Sequence, residues 1–146
     1  MAVNATQTLT FAANAVAAET VTVGGKVYTW FAAYANTDGL VVIGATVAAS
    51  AQNLFDAINN TPSALGVTVG AVNGLNAQVR ALSVTATTVV VQSKIGGTIG
   101  NLIVAAESMT QGSWGAGNLA GGTGDAIAEA LLMQPNAALS QQLRNA

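Results

Sequence analysis

The stretch "ETVTVGGKVYTWFAA", Glu19 to Ala33, decides the fold class. Two runs that alternate between apolar and threonine positions flank Gly24-Gly25. A glycine pair reaches the positive φ angles of a two-residue primed turn without steric cost. That turn sets a register in which Val23 faces Lys26, Thr22 faces Val27 and Val21 faces Tyr28. Because side chains alternate across a strand, one face then carries Val21, Val23, Tyr28 and Trp30, with Lys26 at the tip. The other carries Thr20, Thr22, Val27, Thr29 and Phe31. The first face is the core candidate. The second is threonine-rich but ends in Phe31, which marks it for partial cover.

On the N-terminal side, "TQTLTFAA" sets Thr6, Thr8 and Thr10 against Leu9 and Phe11, the period of a half-buried strand. On the C-terminal side, "NTDG" (Asn36 to Gly39) reads as a turn, and "LVVIGA" as a short strand covered on both faces. Thr46 or Ser50 then caps a helix over residues 47 to 59, with Val47, Ala51, Leu54, Phe55 and Ile58 on one stripe. Pro62 disfavours helical geometry at Thr61 and ends it.

The second half reads as strands at Gly66 to Val72, Ala77 to Ala86 and Thr87 to Lys94, with a reversal near Thr85-Ala86-Thr87. "IGGTIGN" is a glycine loop, and "LIVAAESM" is a strand or a short helix. Thr110 to Gly124 is glycine-rich and reads as an irregular arm holding one tryptophan, Trp114. An aromatic in that setting either tucks onto its own core or anchors in a neighbour. "DAIAEALLMQPNAALSQQLRNA" reads as a helix bent at Pro135. Ile127, Ala130, Leu131 and Gln134 form one stripe, and Leu139 and Leu143 stand at i, i+4. The expected architecture is therefore α+β. A mostly antiparallel sheet packs against one Ala-rich helix in a core of residues 1–109. A Gly-rich arm and a C-terminal helix over 110–146 form a docking segment.

Only 7% of the 146 residues are charged, where a soluble domain carries about 25%. Mean hydropathy is +0.50 and net charge is −2. Such a chain exposes Ala, Gly, Thr, Asn and Gln. It is either a monomer with a neutral skin or a subunit covered by neighbours. Charge depletion is the mark of an interface core and favours the second. Four scattered bases make no phosphate-binding stripe, so no nucleic acid is expected as partner. No basic start precedes an apolar run, and "GLVVIGATVAASA" is shorter than the roughly 20 residues of a spanning helix. A soluble chain made in a cytoplasm is expected, with no membrane partner.

The chain lacks Cys and His, which removes thiol chemistry, the usual zinc ligands and the usual general base near neutral pH. "GGTIGN" lacks the lysine and hydroxyl of a phosphate loop. Nothing pairs Asp38, Asp56, Glu107 or Asp125 for acid–base work, and no cofactor is expected. From Thr6 to Asn101 the order of pieces resembles structural proteins of tailed-bacteriophage particles. Those pieces are a Thr-rich strand, "TVTVGGKVYTW", "LVVIGA", a helix ending "NLFDAINN", Val/Thr strands and "GGTIGN". The resemblance implies a non-enzymatic virion protein, made in the host cytoplasm and built into the particle as a homo-oligomer. Its first implied role is a capsid decoration or cement protein bridging major capsid subunits. A tail tube, baseplate or fibre component is the alternative. Expected partner contacts are Thr8, Phe11, Trp114, Leu139 and Leu143. A host-glycan-binding module, stacking Trp30, Tyr34 or Trp114 on sugar, is the reading from a different class.

Overall fold

The computed structural model describes residues 1–124, so the expected C-terminal helix, with Leu139 and Leu143, lies outside the described residues. In chain order the elements are β1 (Asn4–Phe11), β2 (Thr20–Val23), β3 (Lys26–Phe31), β4 (Leu40–Val42), α1 (Val47–Asn59), β5 (Val79–Val84), β6 (Thr88–Gly96), a 3₁₀ helix (Thr98–Leu102), β7 (Ala105–Glu107) and β8 (Gly112–Trp114). They form the α+β arrangement expected. There are two four-stranded sheets, ordered β5-β6-β1-β8 and β4-β3-β2-β7, and one helix.

The hairpin β2–β3 holds the register that its glycine turn dictates, with Val23 opposite Lys26, Thr22 opposite Val27 and Val21 opposite Tyr28. Gly24 and Gly25 both have positive φ, +59° and +75°. A Cβ on Gly24 would also stand 2.8 Å from Asn76 Oδ1, so the turn requires glycine there on two counts. Val21, Val23, Tyr28 and Trp30 are all buried, while Val27 and Phe31 lie outward. The core face predicted from the alternation is the core face.

The two sheets pack face to face. Leu9, Phe11, Val89 and Val91 come from one sheet. Val21, Val23, Tyr28 and Trp30 come from the other, and all belong to one buried cluster. Phe11 and Trp30 meet edge to face across the layers, with ring centroids 6.0 Å apart. Such a pair adds about 0.5–1.5 kcal/mol beyond its area burial.

The helix closes one side of the sandwich. Thr46 caps it, accepting from Ala49 N–H at 3.2 Å, and Asn60 ends it in the left-handed region at φ 54°. The choice between Thr46 and Ser50 as cap resolves to Thr46. Ser50 is buried, donates to Asn14 Oδ1 at 2.6 Å and accepts from Gly44 N–H at 2.9 Å. Ala51, Leu54 and Ile58 face the core, with Val47 and Phe55 at its margin. Two asparagines then tie the helix to an edge of each sheet. Asn53 Nδ2 donates to Val42 O on β4 at 2.8 Å. Asn59 donates to Ala81 O on β5 at 3.0 Å and accepts from Ala81 N–H at 2.9 Å. On the opposite side β7 lies against β8, and Trp114 Nε1 donates to Ala106 O at 3.0 Å.

Three expectations are corrected. Gly66 to Val72 is not a strand: Val67, Thr68 and Val69 turn their N–H groups back onto Ala64 O, and Val69 alone bridges to Val41. The 110–124 segment is not an arm leaving the core. β8 pairs with β1, and Ala120 and Thr123 bridge to Thr6 and Val3. The second edge of β1 needs hydrogen-bond partners, and this segment supplies them. "IGGTIGN" is only partly loop, because β6 runs on to Gly96 and a 3₁₀ helix follows. In addition, β4 pairs with β3 in parallel, which makes the hairpin's sheet mixed.

Asn59→Ala leaves both backbone groups of Ala81 without their partner. Urea unfolding is expected to show a loss of about 1–3 kcal/mol. Gln52→Ala, exposed on the same helix, is expected to stay within about 0.5 kcal/mol of the parent.

Candidate functional site

The sandwich turns two faces outward. On the β4-β3-β2-β7 sheet, register places Val27, Thr22 and Ala106 in one row and Thr29 and Thr20 in the next, with Phe31 beyond. Ser108 extends the second row, its Oγ 3.1 Å from Thr20 Oγ1. Val27 is 49% exposed and Phe31 36%. No charged side chain stands among these residues. On the β5-β6-β1-β8 sheet the rows are Thr6 with Gln92 and Arg80, Thr8 with Val90 and Ser83, and Thr10 with Thr88 and Ser113. Arg80 is the one charge in those rows and sits on the outermost strand. Its guanidinium is bound to Gln92 Oε1 at 2.6 and 3.0 Å.

These two faces lie on opposite sides of the molecule, and both are built mainly of hydroxyl, methyl and isopropyl groups. A threonine hydroxyl can exchange a bond to water for a bond to a neighbour. Its methyl adds apolar area. Neither step carries the several-kcal/mol desolvation cost of a charge.

The expected contact residues divide. Thr8 is on the outward face, at the centre of the threonine row of β1. Phe11 and Trp114 are buried within the chain itself and do not lie on an outward face. Phe11 is 2% exposed, packed on Trp30; Trp114 is 7% exposed, held by its bond to β7. The physical reason is the same for the two. Each stands where the gap between the sheets must be filled, Phe11 beside Trp30 and Trp114 between β8 and β7. Of the three rings available for sugar stacking, Trp30 and Trp114 are buried. Tyr34 alone is exposed, its hydroxyl accepting from Ala71 N–H at 3.3 Å.

A polar cluster gathers at the hairpin tip. Lys26 Nζ lies 2.9 Å from Asp38 Oδ1 and 5.5 Å from the Tyr28 ring centroid, and it also donates to Gly74 O. Gly74 N–H donates to Asp38 at 2.8 Å. That backbone bond, with the Lys26 ammonium behind it, holds the Asp38 carboxyl below its ordinary range. Buried Asn76 donates to Val23 O and to the Tyr28 hydroxyl, and accepts from the N–H groups of Gln78 and Val79. Burial pushes the Tyr28 phenol up to about 12, so it stays neutral where a general base would have to ionise. The cluster is a clamp that fastens the 70–78 segment to the hairpin, and its donors and acceptors are engaged with one another. Elsewhere, the Thr110 hydroxyl holds the Glu19 carboxyl below its ordinary range. Among the described residues, no group of three or more acidic side chains is placed to hold a metal ion. No helix among them is long and apolar enough to cross a membrane.

Sequence reasoning passed over one concavity. A groove of about 450 Å³ is lined by Ala77, Gln78, Lys94, Ile95, Ile99, Leu102 and Ile103. Leu102 is 73% exposed, Ile95 41% and Ile99 40%. The signal available in the sequence was Ile99 and Leu102, one 3₁₀ turn apart on the same face, inside a segment read only for its glycines.

No family model matches the chain, and no curated protein matches it.

Tyr28 supplies a test of the clamp. Its phenol is raised in the fold, so the stability it carries is complete below pH about 10 and lost as pH climbs toward 12. Alkaline denaturation followed by tyrosinate absorbance is expected to show stability falling steeply across that interval. Tyr28→Phe is expected to remove most of that slope.

Proposed function

We propose that this chain is a non-enzymatic structural protein of a tailed-bacteriophage particle, a decoration or cement protein that bridges major capsid subunits. One observation carries the reading. Two faces rich in threonine stand back to back on one sandwich, with Arg80 at the border of one of them and exposed Lys94 two residues beyond Gln92 on β6. The order of sequence pieces from Thr6 to Asn101 supports the same class. A module of this kind acts by burying area on both sides of a seam between larger subunits, so that each face adds contact which the seam lacks. Thr8, Val27 and Phe31 are the contact residues that the outward faces favour. The low charge of the chain is consistent with faces that spend their working life covered.

A tail tube, baseplate or fibre component would use the same faces, and copy number separates the two. Quantitative mass spectrometry of purified particles should give a ratio to the major capsid protein high enough to tile the shell. A ratio of a few per cent would move the chain to the tail, and absence from the particle would remove the reading. Val27→Glu puts a charge at the β3 end of an outward row. It is expected to lower occupancy on particles while moving the melting temperature by no more than about 2 °C. A large drop in melting temperature with unchanged occupancy would count against that face as a contact.

A further inference from the structure

We propose that Asn73-Gly74 is a covalent modification site, at which the chain deamidates when the clamp of Lys26, Asp38 and Gly74 opens and is protected while it is closed. The inference is independent of the particle reading, because it concerns one chain only.

The chemistry comes from the sequence. Asn73-Gly74 is the one Asn-Gly pair in the chain. The backbone nitrogen of a glycine can attack the side-chain carbonyl carbon of the asparagine before it, because no Cβ stands in the way. The new N–C bond closes a succinimide ring. The side-chain nitrogen takes up the glycine N–H proton and leaves as ammonia. Water then opens the ring, and aspartate or isoaspartate is left at position 73. Water is the only reagent consumed.

The fold keeps both reacting groups in other bonds. Asn73 is 5% exposed. Its Nδ2 donates to Ala57 O at 2.9 Å and to Asn60 Oδ1 at 3.0 Å, and its Oδ1 accepts from Gly39 N–H at 3.1 Å. Gly74 N–H donates to Asp38 Oδ1 at 2.8 Å. Lys26 pairs with the same oxygen and also donates to Gly74 O. The attack turns the asparagine side chain onto the following nitrogen, so these bonds must break first.

The fold does not require glycine at position 74. A Cβ there would meet Lys26 Nζ at 3.6 Å and Asp38 Oδ1 at 3.8 Å, both ordinary contacts. At Gly39 and Gly70 a Cβ would stand 2.2 and 2.0 Å from backbone oxygen. The product, in turn, does not fit the place of Asn73. A carboxylate offers Ala57 O no donor, and Ala57 lies in the last turn of α1, where the helix dipole repels negative charge. Opening followed by reaction is therefore a one-way step that marks the chain.

The full-length protein, held at mildly alkaline pH with and without urea, is mapped by peptide mass spectrometry for conversion at position 73. Conversion is expected in urea and about a hundredfold more slowly in buffer, since the rate follows the population of the open form. No conversion in urea would overturn the site, and equal rates would overturn its protection. Gly74→Ala is expected to melt within about 2 °C of the parent and to lose most of the conversion in urea. Undiminished conversion would overturn the chemistry. Asp38→Ala frees Gly74 N–H, and in buffer, at a temperature where circular dichroism shows it folded, it is expected to convert about tenfold faster than the parent. An unchanged rate would remove the clamp from the proposal. Asn73→Asp stands in for one product and is expected to melt about 10 °C below the parent. Equal melting would overturn the one-way step.

Discussion

Two stacked sheets leave open edges, and the closing of those edges by neutral amide side chains is the constraint on which this protein depends. An unpaired edge strand carries N–H and C=O groups that are costly to bury and prone to pair with another chain. At β5 the partner is Asn59, whose amide offers Ala81 one donor and one acceptor, as a neighbouring peptide group would. At β4 it is Asn53, six residues earlier on the same helix and about 120° around it. One helix thus bridges an edge of each sheet, and its apolar stripe then seals the layer between them. Across the sandwich, the indole of Trp114 donates to β7 and fills the matching gap. An Asp or Lys in any of these places would bring a charge that must be desolvated and paired, at a cost of several kcal/mol.

The same chemistry recurs at several other polar positions of the interior. Asn73 joins the helix end at Ala57 O to the turn at Gly39. Asn76 fastens the 70–78 segment under the hairpin. Ser93 receives Ala5 N–H and donates to Ile95 O where β1 meets β6. A composition with 7% charged residues is therefore one fact with two consequences. Inside, amides and hydroxyls bond the backbone without Born penalties. Outside, threonine rows leave faces that lose little when water is removed.

Local pattern was enough for what local geometry determines. Gly24-Gly25 dictated the β2–β3 register and its buried face, because two positive φ angles leave one way to reverse a strand. Thr46, the apolar stripe and Pro62 bounded α1. What the sequence did not disclose depends on partners distant along the chain. The alternation in Gly66 to Val72 resembles a strand, but its N–H groups found Ala64 O nearer than any ladder. The glycines of 110–124 resemble an arm, because composition does not record that the second edge of β1 was waiting for a strand. Trp114 tucks onto its own core, one of the two readings that its setting allows. Of the expected contact residues that are described, Thr8 lies on an outward face, where the alternation of β1 puts it.

That division bears on how such a domain associates. Large aromatic anchors usually carry the binding energy of an interface, and here both tryptophans are used inside, where they set the distance between the sheets. Association through the outward faces must then rest on many small increments from Thr, Val and Phe31, each worth little alone. Weak, flat, neutral faces bind poorly as isolated pairs, since each encounter must offset the entropy of association by itself. They become effective when a neighbour's geometry is fixed in advance and both faces are engaged together, because the second contact is then nearly intramolecular. A repeating particle surface supplies that condition, whereas a freely diffusing partner does not. The role proposed above would place the two faces in that setting.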